Sequence, residues 1–130
     1  CGLYALFEGH RGTQSTGNLC TDFCAKGLHQ KLLPKLAAFR GYWEDRRLES
    51  AVRESFEELD AEFAEKHPGV TDGCCGAAAL VTGGRLVLAS LGDVACVVVA
   101  RTGEPIEHIK AHAVRLPDDD DDDDDDEDDA

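Results

Sequence analysis

Methionine is missing from all 130 residues, tryptophan occurs once and tyrosine twice. A natural chain normally starts with methionine, so a sequence that opens on Cys1 reads as a fragment or a processed piece. A basic surplus is also missing: 13 Lys and Arg stand against 27 Asp and Glu. Nucleic-acid binding needs a basic face, so the sequence reads as having no nucleic-acid partner. Long apolar runs are lacking too. The most continuous, residues 94–100, has strand length and falls well short of the roughly 18 residues of a membrane span. The opening CGLYALFEGHRG has no basic region ahead of its short apolar stretch, so neither a secretory leader nor a membrane partner is read. A cytoplasmic or nuclear location is expected.

What is present divides in two. Residues 118–129 hold eleven Asp and one Glu, and without these twelve acids the net charge of -14 becomes -2. Residues 1–116 are therefore a nearly neutral chain with enough apolar content for a core. Residues 117–130 are an acidic low-complexity segment that repels itself and is expected to be disordered, with docking of a basic partner as its functional reading. Six cysteines are present. Cys20 and Cys24 lie four apart on an expected helix, and Cys74 and Cys75 are adjacent, which does not suit one tetrahedral ion. They read chiefly as small buried apolar residues in a reducing compartment, with a disulfide or metal role left as the alternative.

The pattern along the chain predicts an α+β fold. Residues 3–7 read as a buried strand. From Asn18 to Ala38, apolar residues at helical spacing (Leu19, Phe23, Leu28, Leu32, Leu36) predict a helix, weakened at Gly27 and kinked or divided at Pro34. Leu48, Val52, Phe56, Leu59 and Phe63 step by four, four, three and four, which predicts a helix over 48–66 with one apolar stripe, ended by Pro68-Gly69. A meander of four strands follows: 77–82, a Gly83-Gly84 hairpin turn, 86–91, 94–100 as a strand buried on both faces, and 106–116. Helices covering a largely antiparallel sheet are the expected outcome.

Three segments carry chemistry. Leu6-Phe7-Glu8-Gly9-His10-Arg11-Gly12 brings an acid, a glycine and a histidine off a strand end together. A carboxylate and a backbone carbonyl are hard oxygen ligands for magnesium or manganese, and a nearby histidine can act as a general acid. This segment resembles the Asp-Gly-His-Gly-Gly motif of the type 2C (PPM) family of metal-dependent protein serine/threonine phosphatases. Thr71-Asp72-Gly73-Cys74-Cys75-Gly76-Ala77-Ala78-Ala79 resembles that family's small-residue lead-in to a central strand, usually Asp-Gly-Ser-Thr-Ala. Residues 86–95, LVLASLGDVA, resemble its apolar strand followed by Gly-Asp-Ser-Arg-Ala. The three occur in order, and the resemblance covers residues 3–116.

The resemblance implies a PPM-type sandwich of antiparallel sheets flanked by helices, of which only the first half is expected here. It implies two Mg or Mn ions between the sheets and a bridging water that attacks phosphoserine or phosphothreonine. By position, Glu8 matches the metal-bridging acid, Gly9 the residue whose carbonyl binds one metal, His10 the general acid, and Asp93 an acid of a further, weaker metal site. A phosphoprotein substrate or a regulatory protein partner follows. Glu8 departs from the family's Asp by one methylene, Arg11 replaces a glycine, and Val94-Ala95 replace Ser-Arg. These departures keep open a second reading, a pseudophosphatase that retains the fold as a binding module. The fragment alone is expected to be inactive, and half a sandwich is expected to expose an apolar sheet face and to be marginally stable or prone to associate.

Overall fold

The computed structural model describes residues 1–13, 18–41 and 43–112. Strand β1 (Gly2–His10) is followed by helices α1 (Leu19–Ala38) and α2 (Asp45–Lys66) and by strands β2 (Gly73–Thr82), β3 (Arg85–Leu91), β4 (Cys96–Val99) and β5 (Pro105–Ile109). The α+β class expected from the sequence is the class observed. β2 is the central strand of an antiparallel sheet in the order β1-β2-β3, and β4 and β5 form a separate antiparallel pair. The acidic run and residues 113–116 of the expected last strand lie outside the described residues.

The helices cover one face of the three-stranded sheet. All five residues of the α2 stripe are buried, and Leu48 and Leu59 join Leu28 and Leu32 of α1 and Ala78 and Leu80 of β2 in one core. Small residues along β2 let the helices approach. Gly76 leaves room for the Phe7 ring, whose atoms lie 2.8 Å from where a Cβ would stand, and Phe7 in turn packs on Phe56 with ring centroids 6.3 Å apart. Cross-strand packing of a ring over a glycine in this way stabilises the pairing. The one buried hydroxyl of α2, on Ser55, donates to the Ala51 carbonyl at 2.7 Å.

The Gly83-Gly84 turn forms as expected. Both glycines have positive φ, +56° and +74°, which the tight hairpin between Thr82 and Arg85 requires. Four expectations need correction. Pro34 removes one backbone donor but does not divide α1, which runs through it to Ala38. β1 is longer than expected and is buried on one face only: Leu3 and Phe7 reach the core, while Tyr4 and Leu6 are 68% and 75% exposed. The meander breaks at Gly92, where φ is +78° and the Val94 amide turns back to the Gly92 carbonyl at 2.9 Å, so the later strands leave the first sheet. The valine run is not buried on both faces: it pairs with β5 and alternates half-buried with exposed, Val97 and Val99 on the open side, because no layer covers that side among the described residues.

The uncovered face of the first sheet carries Tyr4, Leu6, Val81 and Leu86, the apolar face expected of a partial sandwich. Charged residues tie the helices together at their rim: Lys31 of α1 and Lys66 both meet Glu62 of α2, and Lys35 pairs with Glu58 at 2.9 Å. The two lysines hold the Glu62 carboxyl down to about 2. A carboxyl depressed when folded stabilises above its unfolded pKa and loses that contribution as pH falls through the folded one. The unfolding free energy of the wild type is therefore expected to drop more steeply than that of Glu62→Gln as pH falls from about 4.5 to about 2, in denaturant titrations run across that range. Parallel pH profiles for the two proteins would show that the ion pairs contribute nothing.

Candidate functional site

β1 ends where β2 begins and where β3 ends, so three chain segments meet at one end of the sheet. The register there pairs Glu8 with Cys75, Gly9 with Cys74 and His10 with Gly73. On the other side of β2, Gly76 pairs with Leu91, and Gly92 follows with its Cα hydrogens toward the Cys75 Sγ, 2.9 Å from where a Cβ would stand. Glu8, near the end of β1, and Asp93, in the bend just after β3, are thus brought to the same end of the sheet, both exposed. Two strand spacings, roughly 10 Å, separate the outer backbones. Asp93 also sits in the turn that ends the sheet, so its ordinary turn role is satisfied by the same geometry.

Gly9 and His10 are fixed by close approach. A Cβ on Gly9 would lie 2.6 Å from Thr21 Oγ1, so glycine here lets the first turn of α1 rest on the strand end. Gly73 makes room for the His10 imidazole, whose Cε1 is 2.5 Å from the position a Cβ would take. His10 lines a cavity of about 300 Å³ with Gly9, Arg11, Thr21 and Asp72; Glu8 and Asp93 lie outside that lining. Arg11, at the position where the resemblance has a glycine, adopts φ +58°. That left-handed conformation costs a residue with a Cβ roughly 1–2 kcal/mol and glycine almost nothing.

Two features of this region were not singled out from the sequence. Asp72 is 9% exposed, and both its carboxylate oxygens and Thr21 Oγ1 are buried without a hydrogen-bond partner among the described residues. Its position inside the Asp-Gly lead-in was the available signal. The second is a cluster of thiols. Cys20 and Cys24, one turn apart on α1, meet Cys74 of β2: Cys20 Sγ donates to Cys74 Sγ at 3.5 Å, and Cys74 Sγ to Cys24 Sγ at 3.6 Å. Cys20 is buried, and burial, reinforced by Cys74, pushes its thiol up to about 12. The hydrogen bond with Cys24, followed by burial, also raises Cys74. The i,i+4 spacing of Cys20 and Cys24 was legible; their meeting with Cys74 was not.

A family model described as "Protein phosphatase 2C" matches residues 2–127. The chain belongs to the protein phosphatase 2C family. Similar proteins include one named "Probable protein phosphatase 2C 2" from Arabidopsis thaliana, 30% identical over 91 residues, which are 70% of this chain and 22% of that protein. Another from the same plant, "Probable protein phosphatase 2C 30", is 28% identical over 91 residues with the same coverage of both chains. The matched stretch thus spans about a fifth of each relative. The family is metal-dependent, generally on magnesium or manganese. The oxygen donors at the sheet end are of the kind those ions take: the carboxylates of Glu8 and Asp93 and the Gly9 carbonyl. Among the described residues no helix is long and apolar enough to cross a membrane.

The Arg11 geometry gives a direct test. Arg11→Gly is expected to raise the unfolding free energy by about 0.5–1 kcal/mol, the relief of left-handed strain less glycine's added chain entropy, measured by urea denaturation. A loss of stability would mean that the Arg11 side chain makes contacts worth more than the strain.

Proposed function

We propose that this chain is the part of a protein serine/threonine phosphatase that carries one edge of the metal site and the general acid, in a protein that hydrolyses phosphoserine or phosphothreonine. The observation that carries this is the family match along nearly the whole chain, combined with a Glu8-Gly9-His10 strand end at the same end of the sheet as Asp93. Glu8 and the Gly9 carbonyl would hold magnesium or manganese, and Asp93 would serve a further, weaker metal site. Such ions lower the pKa of water and neutralise phosphoryl charge. His10 stands beside Glu8 at the strand end with its ring seated against Gly73, lining an open cavity, where it would hand a proton to a departing serine or threonine oxygen. Substrate would be a phosphoprotein approaching the exposed sheet end. Water and further residues of the protein would complete an octahedral shell, and without those residues the isolated chain is read as inactive.

One observation favours a second reading. Glu8 carries a longer side chain than the family's Asp, and ion sites tolerate little displacement of a ligand. A protein that kept the fold but bound metal poorly would serve as a pseudophosphatase, a binding module for a regulatory partner. Any recruitment of a basic partner would rest on residues 118–129.

A manganese-dependent assay of the full-length protein on a phosphothreonine peptide separates these. The phosphatase reading expects turnover that chelation abolishes and that His10→Ala lowers by about 10²–10⁴-fold. Turnover in Glu8→Asp with none in the wild type would establish the pseudophosphatase instead.

A further inference from the structure

The thiols of Cys20, Cys24 and Cys74 lie within 4.8 Å of one another, the one such group of three among the described residues. We propose that they form a binding site for a thiophilic divalent cation of the zinc class, separate in residues and in ligand chemistry from the oxygen donors at Glu8 and Asp93.

The geometry is the first support. Zinc takes thiolates at about 2.3 Å in a tetrahedron, which sets neighbouring sulfurs roughly 3.8 Å apart. The Cys20–Cys74 and Cys74–Cys24 sulfur separations, 3.5 and 3.6 Å, are close to that edge. They are far beyond the roughly 2.05 Å of a disulfide bond. Little movement is needed to bring all three sulfurs onto one ion. Two of the ligands come from consecutive turns of one helix and the third from the central strand, so the framework is already rigid.

The surroundings are the second support. A cavity of about 300 Å³ is lined by Cys20, Cys24 and Cys74 together with His10, Asp60 and Asp72. Asp72 is nine-tenths buried with both oxygens unpartnered, an arrangement that a nearby cation would compensate. The fourth corner of a tetrahedron therefore has an imidazole, carboxylates or solvent at hand. Soft sulfur selects zinc over the magnesium or manganese favoured by oxygen donors. Binding would exchange the three thiol protons, released to solvent, for the ion. It would staple the start of α1 to β2, directly behind Gly9 and His10.

Cys75 is the internal control. It neighbours Cys74 but sits in the row of Glu8 and Gly92, on the sheet face away from the helices. The test is titration of the whole chain, reduced and stripped of metal, with cobalt(II) and then zinc(II). The expected result is one equivalent of cobalt with a thiolate-to-cobalt charge-transfer band, displaced by zinc, and a rise in Tm with zinc. Cys24→Ser and Cys74→Ser should each weaken binding by at least about tenfold, since even outer-shell losses cost 10–100-fold. Cys75→Ser should leave it unchanged. Far-UV circular dichroism confirms that each variant folds, and Cys24→Ala serves as a second variant if Cys24→Ser does not. Absence of the band in the folded wild type would overturn the proposal. So would equal weakening by Cys75→Ser, or a Cys74 disulfide in protein that takes up no metal. Because the readout is metal uptake, the result stands whatever the phosphatase assay returns.

Discussion

The contact between one face of a three-stranded sheet and two helices organises everything else in this chain. Leu28 and Leu32 of α1 and Leu48, Val52, Phe56 and Leu59 of α2 close over Ala78 and Leu80 of β2. Each buried aliphatic side chain of this kind contributes about 1.5–3 kcal/mol relative to exposure. The sheet can accept helices this closely because its central strand is built of small residues. Where β2 has Gly76 and Gly73, side chains of the neighbouring strand, Phe7 and His10, lie over it. Packing and site are thus consequences of the same small-residue strand.

That arrangement has two faces with different chemistry. Toward the helices, the sheet end presents sulfur: Cys74 against Cys20 and Cys24. Away from them and at the strand ends it presents oxygen: Glu8 and Asp93. The alternation of a β-strand separates the two, since Cys74 and Cys75 are adjacent in sequence and opposite in direction. In the proposed reading, a hard-ion site and a soft-ion site stand back to back across one strand, with Gly9 and His10 between them. A staple at the thiols would then act on the site by fixing where α1 begins, through Thr21 resting on Gly9.

Much of the fold was legible from residue patterns. The α2 stripe was read correctly because five apolar residues at helical spacing admit one buried face, and all five are buried. Gly83-Gly84 announced its turn because few residues tolerate the required φ. The family was legible from three short motifs in order. Burial was less so: Tyr4, Leu6, Val97 and Val99 look the same in sequence whether or not a layer covers them, and here they are open. Pro34 was overrated as a break because the turns on either side remain anchored by Leu32 and Leu36. At the site, Gly9 stands out in the sequence only through its motif, and the structure adds a packing reason that spacing could not supply. Asp72 and the thiol cluster were missed because both depend on α1 docking beside β2, a contact between residues some fifty positions apart.

The central claim, that the helix layer on β2 holds the sheet and its site edge together, is tested most directly by Leu59→Ala. Leu59 is 2% exposed, and Trp43, packed on Phe39 at 4.5 Å, gives a fluorescence signal from the linker between the helices. Urea unfolding followed by that fluorescence and by far-UV circular dichroism should give coincident transitions, with the variant less stable by about 2–5 kcal/mol. A loss below about 1 kcal/mol, or two separate transitions, would contradict the account.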